Sequence, residues 1–137
     1  MSFTIENGVL KKYTAEPGIT RVEIPEGVTE IDNFAFSDGK EITEIILPES
    51  MTELKGQVLC GCVALAHIHI SASLTNIDLF GFNMRTIGFS KLTNLTEITV
   101  PENNRCFCSI DGVLYTKDKE TLVLCQVGKT AFIFPKV

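Results

Sequence analysis

Apolar residues return along this chain at a fixed interval. Ile19-Thr20-Arg21-Val22-Glu23-Ile24-Pro25 is matched by Ile42-Thr43-Glu44-Ile45-Ile46-Leu47-Pro48 and then by Leu65-Ala66-His67-Ile68-His69-Ile70-Ser71, a period of 23 residues. A fourth copy, Leu95-Thr96-Glu97-Ile98-Thr99-Val100-Pro101, arrives seven residues late. The second half of each unit aligns as well: Val28-Thr29-Glu30-Ile31, Met51-Thr52-Glu53-Leu54 and Leu74-Thr75-Asn76-Ile77, followed by Ala35-Phe36, Val58-Leu59 and Gly81-Phe82. Apolar residues two apart share one face of an extended strand, and a Pro behind them cannot donate to a ladder. Each unit therefore predicts one short strand ending at its Pro, a corner at Glu26-Gly27 or Glu49-Ser50, and a second extended edge at V-T-x-I. The A-F position predicts an irregular or single-turn helical return, with Phe36, Leu59 and Phe82 plugging the centre.

One such strand cannot bury its apolar side alone. Copies stacked about 4.8 Å apart pair their backbones and fuse their apolar columns into one core, so the pattern predicts a mostly β solenoid with short helical or 3-10 turns, about four coils of 23 residues. A solenoid has two open ends, and hairpins are predicted at both. Asn7-Gly8, between Phe3-Thr4-Ile5 and Val9-Leu10, suits a type I′ turn, which needs positive φ at both central residues. Ser109-Ile110-Asp111-Gly112-Val113-Leu114-Tyr115 repeats that arrangement and leads through Lys117-Asp118-Lys119-Glu120 into Thr121 to Cys125, a small meander.

The pattern L-T-x-I-x-I-P-x-x-V-T-x-I-x-x-x-A-F-x-x-C resembles the BspA-type leucine-rich repeat of bacterial and protozoan surface proteins, over Ile19 to Pro101. The resemblance implies a right-handed coil. Its cysteine falls at Cys62 in the second unit, but Gly39 and Arg85 stand there in the first and third. Pro25, Pro48 and Pro101 occupy the place where other leucine-rich repeats carry Asn, so no buried asparagine ladder is expected. The expected organisation is a capping hairpin over 1–18, repeats over 19–41, 42–64, 65–94 and, in part, 95–103, a meander over 104–130, and the start of a truncated further repeat over 131–137. The seven extra residues belong to the third unit, between Phe80 and Phe89, with Gly88-Phe89 filling the centre and Phe80 to Arg85 bulging outward. Thr130 to Pro135 aligns with Thr20 to Pro25, which suggests a slice of a longer array.

Composition narrows the partners. Twelve Lys and Arg against seventeen Asp and Glu, without a basic block, offer no footprint for phosphates, so nucleic acid is not an expected partner. The longest apolar stretch, Val58 to Ala66, is too short to cross a bilayer. The N-terminus has neither the basic nor the apolar segment of a signal peptide, and a cell-surface or secreted parent is what the resemblance implies. A monomer is expected in isolation. The five cysteines occur as C-x-C pairs and a single residue, and read as mostly free thiols packed as small hydrophobes.

The candidate binding surface is the outward face of the repeat strands: Arg21, Glu44, His67 and Glu97 in one column, Glu23, Ile46, His69 and Thr99 in the next. Mixed charge, two imidazoles and an exposed Ile46 suit a protein partner. His67 and His69, two apart on one strand, with Glu44 one strand away, would suit zinc. The sequence shows nothing to orient them from behind, and Cys60 and Cys62 lie around the corner, so no metal is assigned. A thiolate at Cys60 or Cys62 would be buried away from both imidazoles, and no phosphate loop or carboxylate pair is present; no enzyme activity and no cofactor are expected. The resemblance implies a non-catalytic interaction module, with adhesion to host or matrix proteins as the family's association and a structural spacer as the alternative. Asn94-Leu95-Thr96 fits a glycosylation triplet, but Leu95 belongs to the core.

Overall fold

The computed structural model describes residues 2–59, 61–78, 94–110, 113–117 and 122–124. Two antiparallel strands open the chain, β1 (Ser2–Glu6) and β2 (Val9–Thr14), with Glu6 opposite Val9. Asn7 and Gly8 between them have φ of 51° and 79°, the type I′ geometry that an Asn-Gly pair favours.

Each repeat then contributes a three-residue strand: β3 (Arg21–Glu23), β5 (Glu44–Ile46), β7 (His67–His69) and β9 (Glu97–Thr99). They form one parallel four-stranded sheet in the order β3-β5-β7-β9, in unshifted register. The middle residues Val22, Ile45, Ile68 and Ile98 stack into one buried column. The apolar residues two further on, Ile24, Leu47 and Ile70, are buried too, because their side chains leave the backbone on the same side. Full burial of one such aliphatic side chain contributes about 1.5–3 kcal/mol, and stacking multiplies that along the column.

The residues between the strands explain the rest of the motif. Thr43 Oγ1 donates to the Thr20 carbonyl (3.3 Å), Thr75 to Thr52 (3.2 Å) and Thr96 to Ala66 (3.4 Å), so the recurrent Thr stitches each repeat to the one before. At the corner after the Pro, Glu26 Oε1 accepts from the Glu49 amide (2.8 Å), and Glu49 accepts from the Ala72 amide and the Ser73 hydroxyl. The two amide bonds satisfy backbone donors that the Pro-terminated ladder leaves over.

A second set of short strands lies beyond the corners: β4 (Glu30–Ile31), β6 (Glu53–Lys55) and β8 (Asn76–Asp78). β6 and β8 pair in parallel, but β4 pairs with β2 of the hairpin instead. A 3-10 turn, Gly56–Leu59, carries the second repeat back, and no α-helix occurs among the described residues. Phe36 and Leu59 are buried at the centre, as the repeat predicts; Phe82, Phe89 and the seven extra residues lie outside the described residues. Two glycines are dictated by close approach. A Cβ on Gly61 would collide with the Phe36 carbonyl oxygen, and one on Gly39 would lie 3.0 Å from Cys62 Sγ. The cysteine position of the first repeat is thus empty because the cysteine of the second leans on it.

The fourth repeat breaks the pattern at one residue. Asn104 stands where Val28, Met51 and Leu74 stand in the first three, with the same bond from its amide to the carbonyl three residues earlier (3.1 Å to Pro101). It is fully buried and fully satisfied: Nδ2 donates to the Ser71 and Leu74 carbonyls, and Oδ1 accepts from the Cys106 and Phe107 amides. Among the described residues it is a lone clamp, not a ladder, and it joins the third repeat to the C-terminal sheet. In that sheet β10 (Phe107–Ile110), β11 (Val113–Thr116) and β12 (Leu122–Leu124) run antiparallel. Residues 131–137, Asp111 and Gly112 lie outside the described residues.

Candidate functional site: the outer face of the parallel sheet

Because the four strands pair in register, the residues flanking each buried one emerge in two straight columns on the opposite face. Arg21, Glu44, His67 and Glu97 are register partners in the first, Glu23, Ile46, His69 and Thr99 in the second. The structure thus brings all eight residues of the candidate surface onto one face. They are not equally exposed. Those on the outer strands β3 and β9 are mostly open, whereas Glu44, Ile46, His67 and His69 on the central strands are half-buried between neighbours on both sides. Ile46, expected to be exposed, is therefore partly covered.

The centre of this face is a connected polar cluster. His69 Nε2 donates to Glu44 Oε2, a diagonal contact between adjacent strands. His67 Nδ1 lies 3.9 Å from the same oxygen and 3.9 Å from Glu97 Oε2. His67 Nε2 contacts the Thr99 hydroxyl. The imidazoles stack with centroids 3.9 Å apart and planes tilted by 32°. Arg21 reaches Glu44 Oε1 through Nε (3.5 Å) and Glu23 through Nη1 (3.0 Å). The Glu44 carboxyl is held below its ordinary range, first by the hydrogen bond from His69, against the opposing effect of partial burial, and further by the neighbouring His69, Arg21 and His67.

Two orienting contacts, Thr99 on His67 and Arg21 on Glu44, were not visible in the sequence. The signal was present only as register: both pairs join adjacent strands of the ladder. Cys62 is buried in the core, on the other side of the sheet from both imidazoles, and Cys106 and Cys108 are half-buried free thiols near the chain end; Cys60 lies outside the described residues. Asn94 Nδ2 donates to the Val63 carbonyl (3.1 Å), and Leu95 is buried. Among the described residues no helix is long and apolar enough to cross a membrane.

A parallel ladder repeated every 23 residues, stitched by Thr and closed by Pro, defines a leucine-rich-repeat protein. The chain matches the BspA type leucine rich repeat region, in six copies over residues 11–110, and belongs to that family. It is similar to a leucine rich cell surface protein of Faecalibacterium prausnitzii A2-165, with 34% identity and a TM-score of 0.53 over 72% of this chain and 24% of that one. It is also similar to a leucine-rich repeat protein of Eubacterium ventriosum, with 18% identity and a TM-score of 0.45 over 90% of this chain and 45% of that one. The chain thus spans about a quarter of the first of these proteins and under half of the second. No curated protein matches.

Proposed function

We propose that this chain is a non-catalytic protein-interaction module of a bacterial surface or secreted protein, a right-handed solenoid of about four coils with a capping hairpin over 1–18 and a meander over 104–130. The observation that carries the reading is the aligned outer face of the parallel sheet. Eight side chains of mixed charge and polarity stand there in two columns, on a backbone that the buried face holds rigid. Such a face binds by matching many modest contacts, which suits a protein surface better than a small substrate. The family and the described surface protein of Faecalibacterium prausnitzii support a place on the cell surface. Adhesion to host or matrix proteins, or to other cells, is the role that fits such a place.

The test compares wild-type protein with a variant carrying Arg21→Ala, Glu44→Ala, His67→Ala and Glu97→Ala together. Both are immobilised and offered purified extracellular-matrix proteins and intact epithelial cells. Binding seen with the wild type and lost in the variant is the expected result. Absence of binding, or binding indifferent to the four changes, would favour a structural spacer that holds other parts of a longer surface protein away from the envelope.

A further inference from the structure

One donor atom from each of Glu44, His67 and His69 lies within 4.8 Å of the other two. The three side chains are half-buried, with 25–29% of each exposed, so the sheet holds them in place. Tetrahedral zinc bonds nitrogen and oxygen at about 2.0–2.1 Å, which sets its ligands about 3.3–3.5 Å apart. The adjustment needed is within the reach of side-chain rotation, since the ligands share one face of two adjacent strands. We propose that Glu44, His67 and His69 form a binding site for a divalent metal ion of the zinc class, with a fourth position open to solvent.

Three further features support the assignment. First, the groups that would hold the ligands in orientation are present: Thr99 engages His67 Nε2 and leaves Nδ1 for the metal, and Arg21 engages Glu44 Oε1, so that the ion would take the place of the proton between His69 Nε2 and Glu44 Oε2. Second, the surroundings favour a cation. Three carboxylates, Glu23, Glu44 and Glu97, share this face with one guanidinium, Arg21, which pairs with Glu23 and Glu44 and lowers the affinity without reversing the sign of the local charge. Third, two imidazole nitrogens and one carboxylate suit zinc over magnesium or calcium, which prefer oxygen. Glu97 Oε2, 3.9 Å from His67 Nδ1, borders the open position and can accept a hydrogen bond from a water bound there. The site stands whether or not a protein partner binds this face.

The test is calorimetric titration of the intact chain with zinc chloride under reducing conditions, with magnesium chloride in parallel. One equivalent of zinc should bind and magnesium should not. His67→Ala, His69→Ala and Glu44→Gln should each weaken zinc by about tenfold or more, while Glu53→Gln, on a different sheet, should leave it unchanged. Far-UV circular dichroism checks each variant for folding, and three separate ligand variants keep the outcome from depending on any one of them. Cobalt(II) in place of zinc should show d–d bands without thiolate-to-cobalt charge transfer. Absence of zinc binding, binding equal in all variants, or thiolate charge transfer that assigns the metal to the cysteines would each overturn the proposal.

Discussion

The same 23-residue repeat builds two ladders of different quality. The strands before the corner form one unbroken sheet, β3-β5-β7-β9. Those after it do not: β6 pairs with β8, while β4 turns to the N-terminal hairpin, where the Thr29 and Glu30 amides both donate to the Gly8 carbonyl and the Asp32 amide to Leu10. Between β4 and β6 the separation leaves a groove of about 340 Å³, bordered by Thr29, Glu30, Ile31, Met51, Thr52, Glu53, Lys55 and Val58. Repetition in sequence does not by itself secure pairing. Thr bonds stitch both ladders, but every strand of the first is three residues long, whereas the two-residue strand Glu30–Ile31 takes the free edge that the hairpin offers.

Substitutions in each ladder put that contrast to the test. The largest effect belongs to Ile68→Asp, which puts an unpaired charge into the middle of the first ladder and should cost about 4 kcal/mol or more, enough to unfold the chain in a urea melt. On the same strand His69→Asp, which sets a second carboxylate beside Glu44 on the outer face, should cost only about 1 kcal/mol, and a larger loss there than at Ile68 would reverse the two faces. Asn104→Leu is next. It strips hydrogen-bond partners from the Ser71 and Leu74 carbonyls and the Cys106 and Phe107 amides, and should cost about 2–3 kcal/mol, with hydrogen exchange accelerating first at β8 and β10.

Gly61→Ala drives a methyl into the Phe36 carbonyl, where the segments that follow β4 and β6 meet, and should cost about 1–3 kcal/mol. Exchange there should rise at Ile31 and Leu54 while Ile45 and Ile68 stay protected; uniform loss would mean that the two ladders open as one unit. The smallest effect is a pH dependence in the first ladder. Glu44 has a lowered native pKa, so the stability its carboxylate contributes is complete above its ordinary value of 4.5 and is lost as pH falls through the lowered one. Glu44→Gln should remove that part of the acid sensitivity, making the urea midpoint fall less than in wild type as the pH drops below 4.5. Parallel curves would show that His69, Arg21 and His67 do not stabilise the charged form.

Much of this was legible in the order of residues. The buried column Val22, Ile45, Ile68 and Ile98, the register that comes from a constant spacing, the Asn7-Gly8 turn and the central Phe36 and Leu59 all derive from local patterns. In the sequence Asn104 stands out only as a polar residue in an otherwise apolar column, which the repeat pattern alone leaves unexplained. Its four bonds were not legible, because two of the partners lie about thirty residues away at a corner whose position depends on the whole stack.

The outer face divides in the same way. Which eight side chains share it is a matter of strand alternation, and the order of residues is enough to determine that. Whether Glu44 meets His67 or His69, which ring nitrogen each leaves free, and that Thr99 and Arg21 stand behind them depend on rotamers and cross-strand neighbours. Likewise β4 and β6 carry nearly the same letters, yet only the folded hairpin decides that β4 pairs elsewhere. Periodicity determines what is buried because burial is a property of every repeat at once. The folded chain decides the exceptions, because each depends on a single contact between residues far apart in sequence.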